Sequence, residues 1–177
     1  MELQDLLGRP IHSPEIKEFF AQYHLPQNPE PHYDAYGNLF WVHVNNEEKT
    51  IYTVFTGYVR YAPVYGEPIG SYNKAKDQLI LHEITIDAEN APDGKISDIN
   101  LPFGLNIGDD KTTIGQKIGK KLTGKTVTDY GSTHHVLFEE FRLLVALNPK
   151  EQLIWLRLFK LELYEKKRAN ADRKSVV

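Results

Sequence analysis

A helix-forming run, a proline- or glycine-rich stop and a pair of β-branched, aromatic runs occur in that order twice along this chain. That order limits the fold more than any other feature. In the first occurrence, "HSPEIKEFF" supplies Ser13 as N-cap, Pro14 at the first helical position and Glu15 at the positive end of the dipole. Ile16, Phe19, Phe20 and Tyr23 then share one apolar stripe at helical spacing. "LPQNPEP" ends the helix, because proline lacks the N–H that a continuing helix needs. "GNLFWVHV" and "KTIYTVF", separated by "NNEE", predict a hairpin.

In the second occurrence, "IGDDKTTIGQKIGKKL" offers Asp109 or Asp110 as N-cap and a stripe of Ile114, Ile118 and Leu122. "HHVLFEEF", "RLLVAL" and "QLIWLRLF" follow as strand formers. Residues 40–55 set over 143–158 without gaps, at an offset of 103, match Val42 with Val145, Asn45 with Asn148, Glu48 with Glu151 and Ile51 with Ile154. Aspartate and glycine also recur upstream, as "DAYG" and "TDYG". The expectation is an α+β fold of two related halves, each a helix packed on an antiparallel sheet. Residues 1–60 form the first helix-plus-hairpin repeat, 61–100 the connecting strands and an acidic loop, 101–164 the second repeat, and 165–177 a basic tail. "LILHEITI" is a further strand, whereas Tyr58, Tyr61, Tyr65 and Tyr72 fall on predicted loops or edges. "EQLIWLRLFKLELYEKKR" reads as a strand through Leu158 or as a terminal helix.

Residues 119–126, "GKKLTGKT", match the phosphate-loop pattern G-x-x-x-x-G-K-[ST]. A phosphate loop needs a buried strand before the turn and a helix after it, so that free N–H groups meet the phosphates. Here a helical pattern precedes and a strand pattern follows, and Gly124 reads as a helix C-cap. Other chemistry is sparse. The chain has no cysteine, which removes thiol nucleophiles, disulfides and thiolate metal sites. Ile86 stands where a zinc-protease pattern beginning at His82–Glu83 would need its second histidine. His134 and His135 are adjacent in a predicted strand and point to opposite faces. No G-x-S-x-G elbow occurs, and Glu139 and Glu140 are neighbours in a predicted strand. No catalytic residue, metal ligand or cofactor is therefore assigned. Lys111, Lys117, Lys120, Lys121 and Lys125 read as a solvated helix face, so direct nucleic-acid binding is not expected.

Charge is the remaining signal. Residues 1–110 carry 17 acidic and 7 basic side chains, and residues 111–177 carry 7 acidic and 14 basic ones. The two halves could pair with each other, or the acidic part could recruit a basic partner. No apolar run is long enough for a membrane span, and the N-terminus lacks a secretory h-region, so a cytoplasmic address is expected.

The stretch "LPFGLNIGDDKTTIGQKIGKK", residues 101–121, resembles the opening of helix-plus-sheet modules in the β-lactamase inhibitor protein and the outer-membrane assembly lipoproteins. It is also similar to proteins of bacterial toxin-immunity loci. Together with the size of the chain, its duplicated scaffold, the absence of catalytic chemistry and the acidic first 110 residues, that resemblance implies a non-enzymatic inhibitor, an immunity protein that neutralises a cognate toxin with a basic surface, such as a nuclease. The candidate contacts are Glu47 and Glu48 on the first hairpin, Tyr65 and Tyr72, and the acids Asp87, Glu89, Asp93 and Asp98. The alternative is a small-ligand protein or enzyme with a pocket between the halves, with His82, Glu83 and Tyr130 as its polar groups.

Overall fold

The computed structural model describes residues 2–37, 41–72, 78–91, 96 and 99–167. Helix α1 spans Pro14–Gln22 and begins as its sequence predicts, with the Ser13 hydroxyl accepting from Ile16 N–H at 3.4 Å. Its stripe of Ile16, Phe19 and Phe20 is buried, and Tyr23 packs beside it. Strands β1 (Trp41–Asn45) and β2 (Ile51–Gly57) form the predicted hairpin. The buried Asn46 side chain closes the turn between them, its Oδ1 accepting from Thr50 N–H at 2.9 Å and Ile51 N–H at 3.0 Å.

Helix α2 (Tyr58–Tyr65) corrects the expectation of loops and edges for Tyr58, Tyr61 and Tyr65, whereas Tyr72 does lie in a loop. Its local signals are poor, since Pro63 lies inside it and removes one helical hydrogen bond. Tertiary contact outweighs that cost: Tyr61 is fully buried, and Tyr65 stacks on His82 at 5.3 Å between ring centroids. Strand β3 (Leu79–Asp87) follows the predicted run.

Helix α3 (Lys111–Ile118) is capped by Asp110, whose carboxylate accepts from Thr113 N–H at 2.8 Å. Asp109 instead pairs with Lys117 at 2.7 Å. The helix ends at Gly119, not Gly124; Gly119 adopts φ +67°, a left-handed conformation that costs glycine little. Residues after it enter β4 (Thr123–Thr128), so Lys125 and Thr126 lie in a strand with no following helix to hold a phosphate. Strands β5 (Gly131–Leu137), β6 (Phe141–Leu147) and β7 (Leu153–Lys160) follow, with a helical turn over residues 163–167. The C-terminal run is thus strand first and helix afterwards. Glu139 and Glu140 fall between β5 and β6, not in a strand as expected.

The seven strands among the described residues join one antiparallel sheet in the order β1-β2-β3-β7-β6-β5-β4. The pairing of β3 with β7 in the middle of the sheet joins the last strands of two distant chain segments, with Ile84 opposite Leu158 and Ile86 opposite Leu156. One sheet face carries Val42, Phe55, Leu81, Ile84, Leu143, Val145 and Leu156 into a single core with the apolar sides of α1 and α3. The chain also crosses the end of this face before each helix: Gly8 N–H donates to Leu81 O at 2.7 Å, and Gly108 N–H to Leu153 O at 2.9 Å. The 103-residue match does not superpose equivalent strands of this sheet. It sets β1, an edge strand, on β6, which has neighbours on both sides.

Candidate functional site

The sheet face turned away from α1 and α3 carries the polar and aromatic side chains. Register sets Tyr52, Thr85, Arg157, Leu144 and His135 in one row across five strands, and His43, Val54, Glu83, Phe159 and Arg142 in the next. The Arg157 guanidinium lies 5.5 Å from the Trp155 ring centroid and 5.7 Å from that of Phe159, so aromatic faces flank it. Its Nε is 3.4 Å from Glu83 Oε1. Burial pushes the Glu83 carboxyl above its ordinary range, and the Arg157 charge opposes that shift. Arg142 lies 5.7 Å from the same Phe159 ring and pairs with Glu165.

A β-bulge organises one end of this face. Val54 pairs with Glu83 and the next residue, Phe55, with Leu81, which leaves His82 as the extra residue on β3. The bulge turns the imidazole under α2, where it is buried against Tyr65. Its Nδ1 has no hydrogen-bond partner. Burial, with the neighbouring His43 as a smaller cause, lowers its pKa to about 4, so the ring is neutral at pH 7. Burial likewise raises the Tyr65 hydroxyl to about 12.

The candidate contacts separate into two groups. Glu47 and Glu48 occupy the β1–β2 turn, and Asp87 N–H donates to Thr50 O of that turn at 2.8 Å. Glu89 lies two residues on, its N–H donating to the Asp87 carboxylate at 2.9 Å. Asp87 also pairs with Trp155 on β7. Four acids from two chain segments therefore meet at one end of the sheet beside the aromatic–guanidinium row. Tyr65 and Tyr72 lie at the opposite end. Tyr65 covers His82, and Tyr72 stacks on Tyr58 at 5.7 Å and donates to Glu67. Asp93 and Asp98 lie outside the described residues.

The alternative polar trio is not assembled. His82 is buried under α2, Glu83 points to the open face, and Tyr130, 86% exposed, sits in the β4–β5 turn. His134 is buried on the core side, 3.1 Å from Ser132 Oγ, whereas His135 lies on the other face. No group of side chains suited to a metal ion occurs among the described residues, and none of their helices is long and apolar enough to cross a membrane. The row built on Trp155, Arg157 and Phe159 escaped the sequence reading. Its signal was the alternation W-x-R-x-F, which places three large side chains on one strand face.

Neither a family model nor a curated protein matches the sequence. Among solved structures, an extracellular protein containing an SCP domain from Bacillus anthracis str. Ames is similar over 90% of this chain, with 14% identity and a TM-score of 0.45. A cysteine-rich secretory protein from Staphylococcus aureus subsp. aureus Mu50 is similar over 90% as well, with 10% identity and the same score. The chain spans 46% and 45% of those two structures, less than half of each. These findings correct the resemblance drawn from residues 101–121, because neither structure is a β-lactamase inhibitor or a toxin-immunity protein. The cytoplasmic expectation finds no support in them either: the two are described as extracellular and secretory. A similarity at that score says nothing of a substrate or a partner.

Proposed function

We propose that this is a non-enzymatic binding protein whose acidic sheet end caps a basic surface on a partner protein. The observation that carries the reading is the meeting of Glu47, Glu48, Asp87 and Glu89 from two separate segments beside Trp155 and Arg157. Two physical arguments support it. Aromatic and arginine side chains dominate the centres of protein interfaces, and here the guanidinium of Arg157 is already held beside two rings, which lowers the entropy lost on docking. A surrounding acidic rim speeds encounter with a basic partner and disfavours acidic ones.

The reading includes two related halves, now taken as α1 with β1–β3 and α3 with β5–β7. In that pairing the halves meet at β3 and β7, and each helix follows a segment that bridges the start of its half's central strand, Pro10 to Ile80 and Asp110 to Gln152. The "DAYG" and "TDYG" turns then coincide as well. Tyr36 N–H donates to Asp34 Oδ1 at 2.9 Å and Tyr130 N–H to Thr128 Oγ1 at 3.3 Å, just before β1 and β5.

The test is affinity capture from the native source with the wild-type chain and, in parallel, with Glu47→Lys/Glu48→Lys/Glu89→Lys. The expected result is one stoichiometric basic partner, released by salt and bound roughly tenfold or more weakly by the triple variant. A partner retained equally by both baits, or a partner with an acidic surface, refutes the proposal.

A further inference from the structure

At the opposite end of the sheet, a cleft of about 450 Å³ opens between the N-terminal segment, Ile69, the β5–β6 turn and the end of β7. Its polar groups are divided by charge. On one wall Lys160 is only 7% exposed, and its ammonium donates to Glu140 at 3.1 Å. The same carboxylate oxygen accepts from Lys166 at 2.5 Å, so two ammonium groups share one carboxylate and a positive charge is left over. On the other wall Asp5 has no ion-pair partner among the described residues, and the buried Gln4 Oε1 accepts no hydrogen bond. Arg9 does not neutralise that wall: it is engaged by Glu15 at 2.6 Å and by the Asp5 backbone carbonyl at 2.8 Å. Leu7, Ile69 and Phe141 supply the apolar lining.

A surplus cation, apolar lining and a pair of unused acceptors in one cleft match one kind of small molecule. We propose that this cleft binds a zwitterion with an apolar body, the chemistry of an apolar α-amino acid, with its carboxylate at Lys160, its ammonium at Asp5 and Gln4 Oε1, and its side chain over Leu7, Ile69 and Phe141. A buried acceptor without a donor costs free energy that a ligand N–H recovers, and the charge-assisted bond at the other end adds to it. The apolar body supplies the area that distinguishes such a ligand from glycine or a simple salt. This site lies away from the acidic end of the sheet and does not depend on the protein-binding reading.

The experiment is calorimetric titration of the full chain with L-leucine and L-phenylalanine, beside N-acetyl-leucine, which lacks the ammonium, and leucinamide, which lacks the carboxylate. The expected result is saturable binding of at least one free amino acid at micromolar to millimolar concentration, with both analogues about tenfold or more weaker. Lys160→Met should weaken binding by a similar factor. Because it alters a buried position, Asp5→Asn at an exposed one provides the second variant, with the same loss expected and the fold retained. No heat with either amino acid at roughly millimolar concentration, or analogues that bind as well as the parent, overturns the proposal.

Discussion

Lowering the pH from 7 to 4.5 should weaken the fold through one side chain, His82. In the folded protein its pKa is about 4, against 6.5 for an unburied histidine, because burial disfavours the imidazolium and His43 adds a smaller penalty. Between those two values the unfolded chain binds the proton and the folded chain does not. Stability therefore rises with pH through the window from about 4 to 6.5, is fully present above it, and is lost as pH falls through it. At 1.36 kcal/mol per unit, the shift amounts to about 2 kcal/mol between pH 7 and 4.5. Carboxylates titrate in the same range, so wild type alone cannot isolate the effect. The comparison is with His82→Leu, which keeps Glu83, Arg157 and His43 in place and removes the partnerless Nδ1 from the space under Tyr65. Urea unfolding at a series of pH values should give a variant whose stability relative to wild type grows by about 2 kcal/mol on going from pH 7 to 4.5. Parallel stability curves, or an imidazole proton resonance of His82 that titrates near 6.5, would refute the assignment of a neutral buried ring.

Three further outcomes follow from single contacts. Gly131→Ala should prevent the β5–β6 pairing, because an added Cβ would lie 2.0 Å from Leu147 O at a φ of +133°; loss of cooperative thermal unfolding by circular dichroism is the readout. Ser13→Ala should cost about 1 kcal/mol or less in urea unfolding, since the cap bond to Ile16 is long at 3.4 Å. Tyr61→Phe should cost nothing measurable, or stabilise slightly by thermal unfolding, because the fully buried hydroxyl has no hydrogen-bond partner; a loss above about 2 kcal/mol would reveal a bond to ordered water.

What the sequence determined by itself is the set of elements whose cause is local. Ser13, Pro14 and the Ile16–Phe19–Phe20 stripe fix α1 because capping, φ restriction and period act within a few residues. β-Branched and aromatic runs likewise fix the other strands and the β1–β2 and β6–β7 hairpins, but not β4, whose first residues read as the end of a helix. The phosphate-loop match at residues 119–126 could be dismissed on the same local grounds, though the choice between Gly119 and Gly124 as the helix end could not, since both suit a C-cap. Tertiary structure alone decided the rest. Strand order is set by which apolar faces can share one core, so β3 and β7 meet at the centre although long stretches of chain separate them. Helix α2 forms against its own proline because Tyr61 and Tyr65 find cover there. The bulge that buries His82, the gathering of Glu47, Glu48, Asp87 and Glu89, and the enclosure of Lys160 each join side chains from different elements. Such contacts depend on burial and register across the sheet, and no window of neighbouring residues contains that information.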